Sequence, residues 1–513
     1  MWLNNNATSV PDDNVLKTFD KYSRMTLSHT KYQEFITKSY EVIKRVINCT
    51  NYKIIYTSGA SESNAMILRS ATSAYFIKNQ SIPHIIISSI EHKSIIDTAE
   101  HLQIEGVEVT MIEPNASGFI CPLKVEAAIR KNTCLISIMH ANNELGTINN
   151  IVDIGYFAKK YKVPFHTDVV QSVKYGYFTD PAIMNVDAVT IGFHKMHGLP
   201  GLGVLLLHDD LNSKHGYKAE IGGTQNYGLR GGTYSIGLIM ANILAINLMF
   251  KNREEKNLHL MTLKECFIKE IETELSIIDY TNLVRSSPKG GLTMITTNSM
   301  LILGASRAML NRQRQIASKK SLAQLIIESD ALTKPDTPPT MITSADNDFR
   351  KKLTQIDQLG EILVNIPKGD NSDADKDTDK VVVRRGKVDK VVYKKADKPV
   401  AVAPAKYINT TIEIKKLDKS ILPVVTSLPN TLLVSFIGSP LCNMQLRDIL
   451  EEQDYHVSIG SFCNTDSQQA SHVISALNIS TWIKRGVIRL SFSDNNTIEE
   501  VKKFAQAVLK HVR

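Results

Sequence analysis

Apolar residues in this chain follow two rhythms. Between residues 13 and 47 they recur at helical spacing, which predicts a helix near residues 13–22 and a second over about 30–47, where Phe35, Ile36, Tyr40, Ile43 and Val46 form one stripe. From residue 53 onward, short β-branched runs alternate with helical stretches. Strands are predicted at 53–56, 84–88, 107–112, 135–139, 163–167, 186–191 and 204–207, and helices at 65–77, from the cluster after residue 90 to about 102, and at 123–129. Strands separated by helices of this length call for a mainly parallel, seven-stranded sheet covered on both faces, an α/β fold. Ligands of such sheets sit at the carboxyl ends of the strands.

The polar clusters fall at those ends. The first strand runs into Thr57-Ser-Gly-Ala-Ser-Glu-Ser-Asn64. There Ala60 and Ser61 open a helix whose first N–H groups lack intrahelical partners and suit a phosphate; the same segment also reads as a plain capped helix start. Further clusters are Glu91-His92, His140 to Gly146, Asp168 to Gln171, and His194-Lys195. A lysine at a strand end is either a nucleophilic amine or a solvated loop residue. Asp168 is the type of carboxylate that keeps a pyridine ring protonated, or else a cap. Gln171 can reach a ring hydroxyl, and His92 is either a ring-stacking group or a partly buried structural histidine. Five such clusters around one lysine favour the joint reading, a lysine-bound aldehyde cofactor.

Composition adds limits. The chain has 513 residues, 43% of them hydrophobic and 22% charged, which is ordinary for a globular protein of two to four domains. No run of about 18 apolar residues indicates a membrane span, and the start Met1-Trp-Leu-Asn-Asn-Asn has neither a secretory nor a transit pattern, so an intracellular, cytoplasmic protein is expected. Six scattered cysteines form no C-x-x-C pair, so neither a metal site nor a disulfide framework is expected, and most should be small buried residues. The net charge of +8 sits almost wholly in residues 288–410, with 21 Lys and Arg against 14 Asp and Glu. That argues against a basic catalytic body.

The sequence resembles the NifS-like cysteine desulfurases, class V members of the pyridoxal-phosphate aminotransferase superfamily. The resemblance rests on Leu3-Asn-Asn-Asn-Ala-Thr8, the 57–64 turn, Glu91-His92, Met139-His-Ala-Asn-Asn-Glu-Leu-Gly-Thr147, His166-Thr-Asp-Val-Val-Gln171, His194-Lys195 and Gly228-Leu-Arg-Gly-Gly-Thr233. It implies a fold-type I enzyme with a large cofactor domain, a small α+β domain and pyridoxal 5'-phosphate as cofactor. Lys195 is then the Schiff-base lysine, Asp168 the partner of the pyridine nitrogen, Gln171 the ring-hydroxyl contact and His92 the stacking and proton-shuttling histidine. Ala60, Ser61 and His194 match phosphate-binding positions. Thr233 matches a threonine reaching the phosphate from a neighbouring subunit, which implies a homodimer. Asn143 and Arg489 match the residues that hold the substrate carboxylate, and Cys463, in Val457-Ser-Ile-Gly-Ser-Phe-Cys-Asn-Thr-Asp466, matches the nucleophile. The implied reaction takes L-cysteine to L-alanine, with the sulfur leaving as a persulfide for an acceptor protein, a scaffold or a thiolation enzyme.

Several positions depart from the family pattern. Gly192 stands where a phosphate-binding serine is usual, Ser61 replaces a threonine, Asn226-Tyr227 replace a Glu-Arg pair, and 198–201 lacks the usual Gly-Pro-Lys-Gly. The expected organisation is an N-terminal segment of the small domain (1–13), the large domain (14–250), a connecting helix (251–287), an insertion (288–410) and the small domain with the cysteine loop (411–513). The insertion carries a charge-dense tract with the near-repeat Asp379-Lys-Val-Val and Asp389-Lys-Val-Val, and helices are expected near 321–329 and 347–363. It reads as a partly disordered tether, with contact to nucleic acid as the alternative. Two other functions stay open: another class V enzyme, such as a selenocysteine lyase or aminotransferase, and a degenerate scaffold acting through its insertion.

Overall fold

The computed structural model describes residues 1–26, 28–115, 117–178, 180–211, 222–273, 276–279, 293–296, 427–437, 439–459, 471–477 and 487–512. The Cys463 loop, nearly all of the 288–410 segment and the helices expected within it lie outside these residues.

Two helices come first, α1 (Asp13–Ser23) and α2 (His29–Ile47), and then strands and helices alternate: β1 (Tyr52–Thr57), α3 (Ala60–Asn79), β2 (His84–Ser88), α4 (Lys93–Ile104), β3 (Glu108–Ile112), α5 (Pro122–Ala128), β4 (Thr133–Ser137), α6 (Ile151–Tyr161) and β5 (Phe165–Asp168). A hairpin of β6 (Ala188–Gly192) and β7 (Gly203–His208) follows, then the helices α7 (Ile236–Phe250) and α8 (Arg253–Glu272). The later elements are β8 (Ser276–Asp279), β9 (Thr293–Thr296), β10 (Thr431–Ile437), α9 (Asn443–Glu452), α10 (His472–Ala476), β11 (Val487–Ser491) and α11 (Ile498–Val512).

The first seven strands form one sheet in the order β1-β7-β6-β5-β4-β2-β3. β7 is antiparallel to both neighbours, and every other pair is parallel. Burial alternates along the strands: Ile85 and Ile87 of β2 face one core with Leu135, Leu205 and Leu207, while Ile86, Ile136, Val204 and Leu206 face the other. Both faces are therefore covered, which is why these strands read as continuous apolar runs. Each buried Ile or Leu contributes roughly 1.5–3 kcal/mol of transfer free energy.

A second sheet has the order β11-β10-β9-β8, and its core takes in Phe267 of α8 together with Phe504 and Val508 of α11. The first residues of the chain lie along this sheet through bridges from Trp2 to His456 and from Asn4 to Ser491, with Leu3 fully buried. This course carries Asn6 to the carboxyl edge of the large sheet, where it meets the β6–β7 turn.

One expectation needs correcting. Of the five described cysteines only Cys49 and Cys134 are buried, whereas Cys121 and Cys266 are half-buried and Cys442 is exposed. Cys121 and Cys442 precede the first turns of α5 and α9, at element ends that reach the surface. Among the described residues, no helix is long and apolar enough to cross a membrane.

Candidate active site

Lys195 owes its position to the hairpin. β6 and β7 stay in register to Gly192↔Gly203, and the chain makes a single 3-10 turn, Phe193–Lys195, before returning. Gly203 is required here, because a Cβ would lie 2.5 Å from the Gly59 carbonyl carbon. Lys195 Nζ donates to the carbonyl oxygens of Asn6 and Ala7, the latter at 3.1 Å. Gln171 Nε2 donates to the same Asn6 oxygen at 3.0 Å, so the lysine and the glutamine meet on one backbone atom.

Asp168 ends β5 and is 5% exposed. One carboxylate oxygen accepts from Asn64 Nδ2 at 2.9 Å and the other from the Val170 N–H at 2.9 Å, so its orientation is fixed. The Asn64 amide also donates to Ser94 Oγ at 3.0 Å, and Ser94 Oγ lies 2.8 Å from His92 Nδ1. His92 caps α4, its Nδ1 accepting from the Ser94 N–H at 3.1 Å, which leaves Nε2 to carry the proton of the neutral ring. Burial holds the His92 ring below the usual histidine range; the nearby Asp168 opposes this and the Lys195 charge adds to it. His194 is pushed down to about 4 by burial and by the charges of Lys195 and Lys174, so it is neutral at pH 7.

Ala60 and Ser61 are the first residues of α3. Gly59 before them makes no side-chain cap bond, so the leading N–H groups face outward uncapped. Gly192 borders the same place, and a Cβ on it would meet Ala60 Cβ and Val170 Cγ2 at 3.4 Å. Arg230 ties the Gly228–Thr233 loop to this turn through a two-bond pair with Glu62, at 2.8 and 3.2 Å. Thr233 itself is exposed.

On the other side stands Arg489 of β11, 1% exposed. Its Nη1 donates to the Asn143 carbonyl at 3.2 Å, its Nη2 to Asn4 Oδ1 at 2.6 Å, and its Nε has no partner. Burial lowers its pKa to about 10, with Glu144 opposing, so the charge stays. Glu144 accepts from Ser471 Oγ at 2.5 Å, and its other oxygen is unpartnered. Burial pushes the Glu91 carboxyl up to about 8, against hydrogen bonds from Ser88 Oγ and the Met139 N–H. Five of the eight buried side-chain atoms without a hydrogen-bond partner among the described residues belong to this region: Asn64 Oδ1, Glu91 Oε2, Glu144 Oε1, Gln171 Oε1 and Arg489 Nε. Unmet buried polar atoms cost about 1–3 kcal/mol each, and their gathering in one place fits a polar ligand.

The Aminotransferase class-V family profile matches residues 1–299. The chain belongs to that family. A cysteine desulfurase IscS of Anaeromyxobacter sp. (strain K) is 32% identical over 304 residues, covering 57% of this chain and 74% of the relative. The corresponding protein of Pseudomonas savastanoi pv. phaseolicola is 34% identical over 253 residues, 49% of this chain and 61% of its own. These relatives put the chain among the NifS-like cysteine desulfurases. Among solved structures, a NifS-like protein superposes with a TM-score of 0.63 at 20% identity, covering 99% of this chain and 98% of its own. Another, from Rickettsia africae, gives 0.61 at 17% identity with the same coverage, and both agree with the fold.

Class-V enzymes depend on pyridoxal phosphate, and the residues present fit it. The uncapped start of α3 suits a phosphate, Asp168 is a fixed buried carboxylate, Gln171 Oε1 lacks a partner, and Lys195 supplies an amine on the same wall. Ala60, Ser61, His92, Asp168, Gln171, His194 and Lys195 all come from the carboxyl edge of the large sheet. Asn143 and Arg489 meet through the Asn143 carbonyl. Cys463 lies outside the described residues. Sequence reasoning missed the backbone oxygens of Asn6 and Ala7, which leave no side-chain signal, and it assigned no role to Asn64, Ser94 or Arg230. Asn64 and Arg230 stand inside quoted motifs, where a buried amide and an arginine after a glycine were the available signals.

Proposed function

We propose that this protein is a cysteine desulfurase, converting L-cysteine to L-alanine and passing the sulfur to its own Cys463 and then to an acceptor protein. The observation that carries the reading is the meeting of Lys195 and Gln171 on the Asn6 oxygen, beside the fixed carboxylate of Asp168. Pyridoxal phosphate, when bound, supplies the sink for the electron pair left at the substrate Cα.

The chain's residues do the rest. Asp168 keeps the ring nitrogen protonated, and Ala60 and Ser61 offer backbone N–H groups to the phosphate. Arg489, charged and with Nε unspent, holds the substrate carboxylate beside Asn143. Lys195 Nζ moves the proton at Cα, and His92, whose Nε2 carries its proton, exchanges protons at the substrate amine or thiol. The Cys463 thiolate attacks the substrate Sγ: an S–S bond forms, the Cβ–S bond breaks, and Cβ takes that electron pair and a proton to become the alanine methyl. The exposure of Thr233 supports its reaching a neighbouring subunit in a homodimer.

Alanine release from L-cysteine by the cofactor-saturated protein tests the reading. Release is expected to be abolished in Lys195→Ala and strongly reduced in Cys463→Ser. Parent-rate release by Cys463→Ser would instead favour a selenocysteine lyase or an aminotransferase, and no release by the parent would favour a scaffold.

A further inference from the structure

Behind the Lys195 turn lies a cavity of about 20 Å³, room for one or two water-sized occupants. Its lining includes Ser9, Lys174 from the turn after β5, His197 from the hairpin, Arg253 and Lys256 from α8, and Asp494 after β11. Asp494 is the one carboxylate in that lining, and its charge is already engaged. His197 Nε2 lies 3.0 Å from one of its oxygens and Lys256 Nζ 3.4 Å from the other.

Two cations of the lining have no ion-pair partner among the described residues, although the Asp494 charge acts on Lys174 and that of Glu254 on Arg253. Lys174 is 4% exposed, and its ammonium sits 4.9 Å from the centre of the Tyr175 ring, a neutral partner. Arg253 is half-buried, its guanidinium carbon 4.8 Å from the centre of the Phe250 ring and pressed against Gly176, where a Cβ would come within 2.1 Å of that carbon. Among the described residues neither makes an ion pair within 4.0 Å or a hydrogen bond through its charged group. Burial lowers the pKa of both, Lys174 to about 8, where it is still mostly protonated at pH 7. A buried cation without a paired counter-charge costs stability, and a wall that gathers a buried Lys174 and a half-buried Arg253 around a space of this size is an arrangement an anion relieves.

We propose that this cavity binds one small monovalent anion of chloride size, held between Lys174 and Arg253. A space of this size suits a halide better than the larger tetrahedral oxyanions sulfate and phosphate, and the lining has no carboxylate besides Asp494 to repel it. The occupant joins three parts of the fold: the turn that follows Gln171, the hairpin of Lys195 and the first turn of α8. It also screens the Lys174 charge that acts on His194. The site is separate from the cofactor's, and its test does not depend on catalysis.

The thermal midpoint of the full chain, with and without pyridoxal phosphate, is followed in chloride, bromide and sulfate at matched ionic strength. A saturable upward shift in the two halides and not in sulfate is expected. That response is expected to vanish in Lys174→Met and to weaken in Arg253→Gln, which carries the test if the first variant does not fold. Equal responses to all three salts, or a halide response that survives both substitutions, overturn the proposal. In bromide-soaked crystals an anomalous peak at the cavity supports it, and a water there in place of bromide counts against it.

Discussion

At Gly192 there is room for a side chain. The backbone is extended (φ −126°, ψ 123°), and a Cβ would make ordinary contacts with Ala60 and Val170. A serine hydroxyl placed there adds one donor beside the uncapped start of α3. Gly192→Ser is therefore expected to tighten pyridoxal-phosphate binding about 2- to 10-fold, the equivalent of one hydrogen bond of about 0.5–1.5 kcal/mol. A cofactor titration showing equal or weaker affinity would refute it. The same scale shows what a residue type can announce. Lys195, Asp168, Gln171 and His92 stand at strand ends where their chemistry is legible, but two of the groups that hold Lys195 are the backbone oxygens of Asn6 and Ala7, which any residue could supply. The burial of cysteines is likewise set by element ends, as Cys442 shows.

At the scale of elements, two histidines cross-link the large sheet. His84 of β2 bonds Thr133 of β4 and Thr110 of β3, both at 2.8 Å; His166 of β5 bonds Ser137 of β4 at 2.8 Å and Thr190 of β6 at 3.0 Å. Burial pushes His84 down to about 4 and His166 to about 3, the nearby Arg130 adding to the effect at His84. The fold holds the neutral rings, and the unfolded chain takes up their protons near pH 6.5. Their contribution is thus fully present above about pH 6.5 and is lost as pH falls toward 4 and 3, by up to about 1.4 kcal/mol per unit for a fully buried ring. Urea midpoints measured between pH 7 and pH 4 are expected to fall. The slope is expected to flatten in His166→Gln, and an unchanged slope would discard the assignment. Most of these elements were legible. β4 lies two residues before its predicted place, because Ile138 and Met139 continue the apolar run after the ladder has ended. α6 went unseen because Gly155 interrupts its pattern, yet glycine is needed there: a Cβ would sit 2.1 Å from the Met184 carbonyl oxygen. α7 is buried on most sides, so it shows no polar face for a periodicity to reveal.

At the scale of the molecule, the site draws on both sheets: Lys195 and Asp168 from one, Arg489 from the other, with the first six residues of the chain between them. In the proposed homodimer the exposed Thr233, on a loop anchored by Arg230 to the start of α3, reaches the phosphate end of a second copy. Sedimentation is expected to give twice the chain mass, and dilution into the monomer range to lower cofactor occupancy. A monomer that keeps its cofactor would exclude shared sites.

The antiparallel β7 has a further consequence, in time. β6 and β7 are sequence neighbours and can pair as soon as both have been made, so the turn that bears Lys195 is an early, local structure. β1 has no such neighbour. It stands at the rim of the sheet, and Thr57 must wait for Gly203 before the two can pair. Throughout that interval of synthesis the run Tyr52-Lys-Ile-Ile-Tyr-Thr57 has both edges open, and open strand edges are where a nascent chain mispairs.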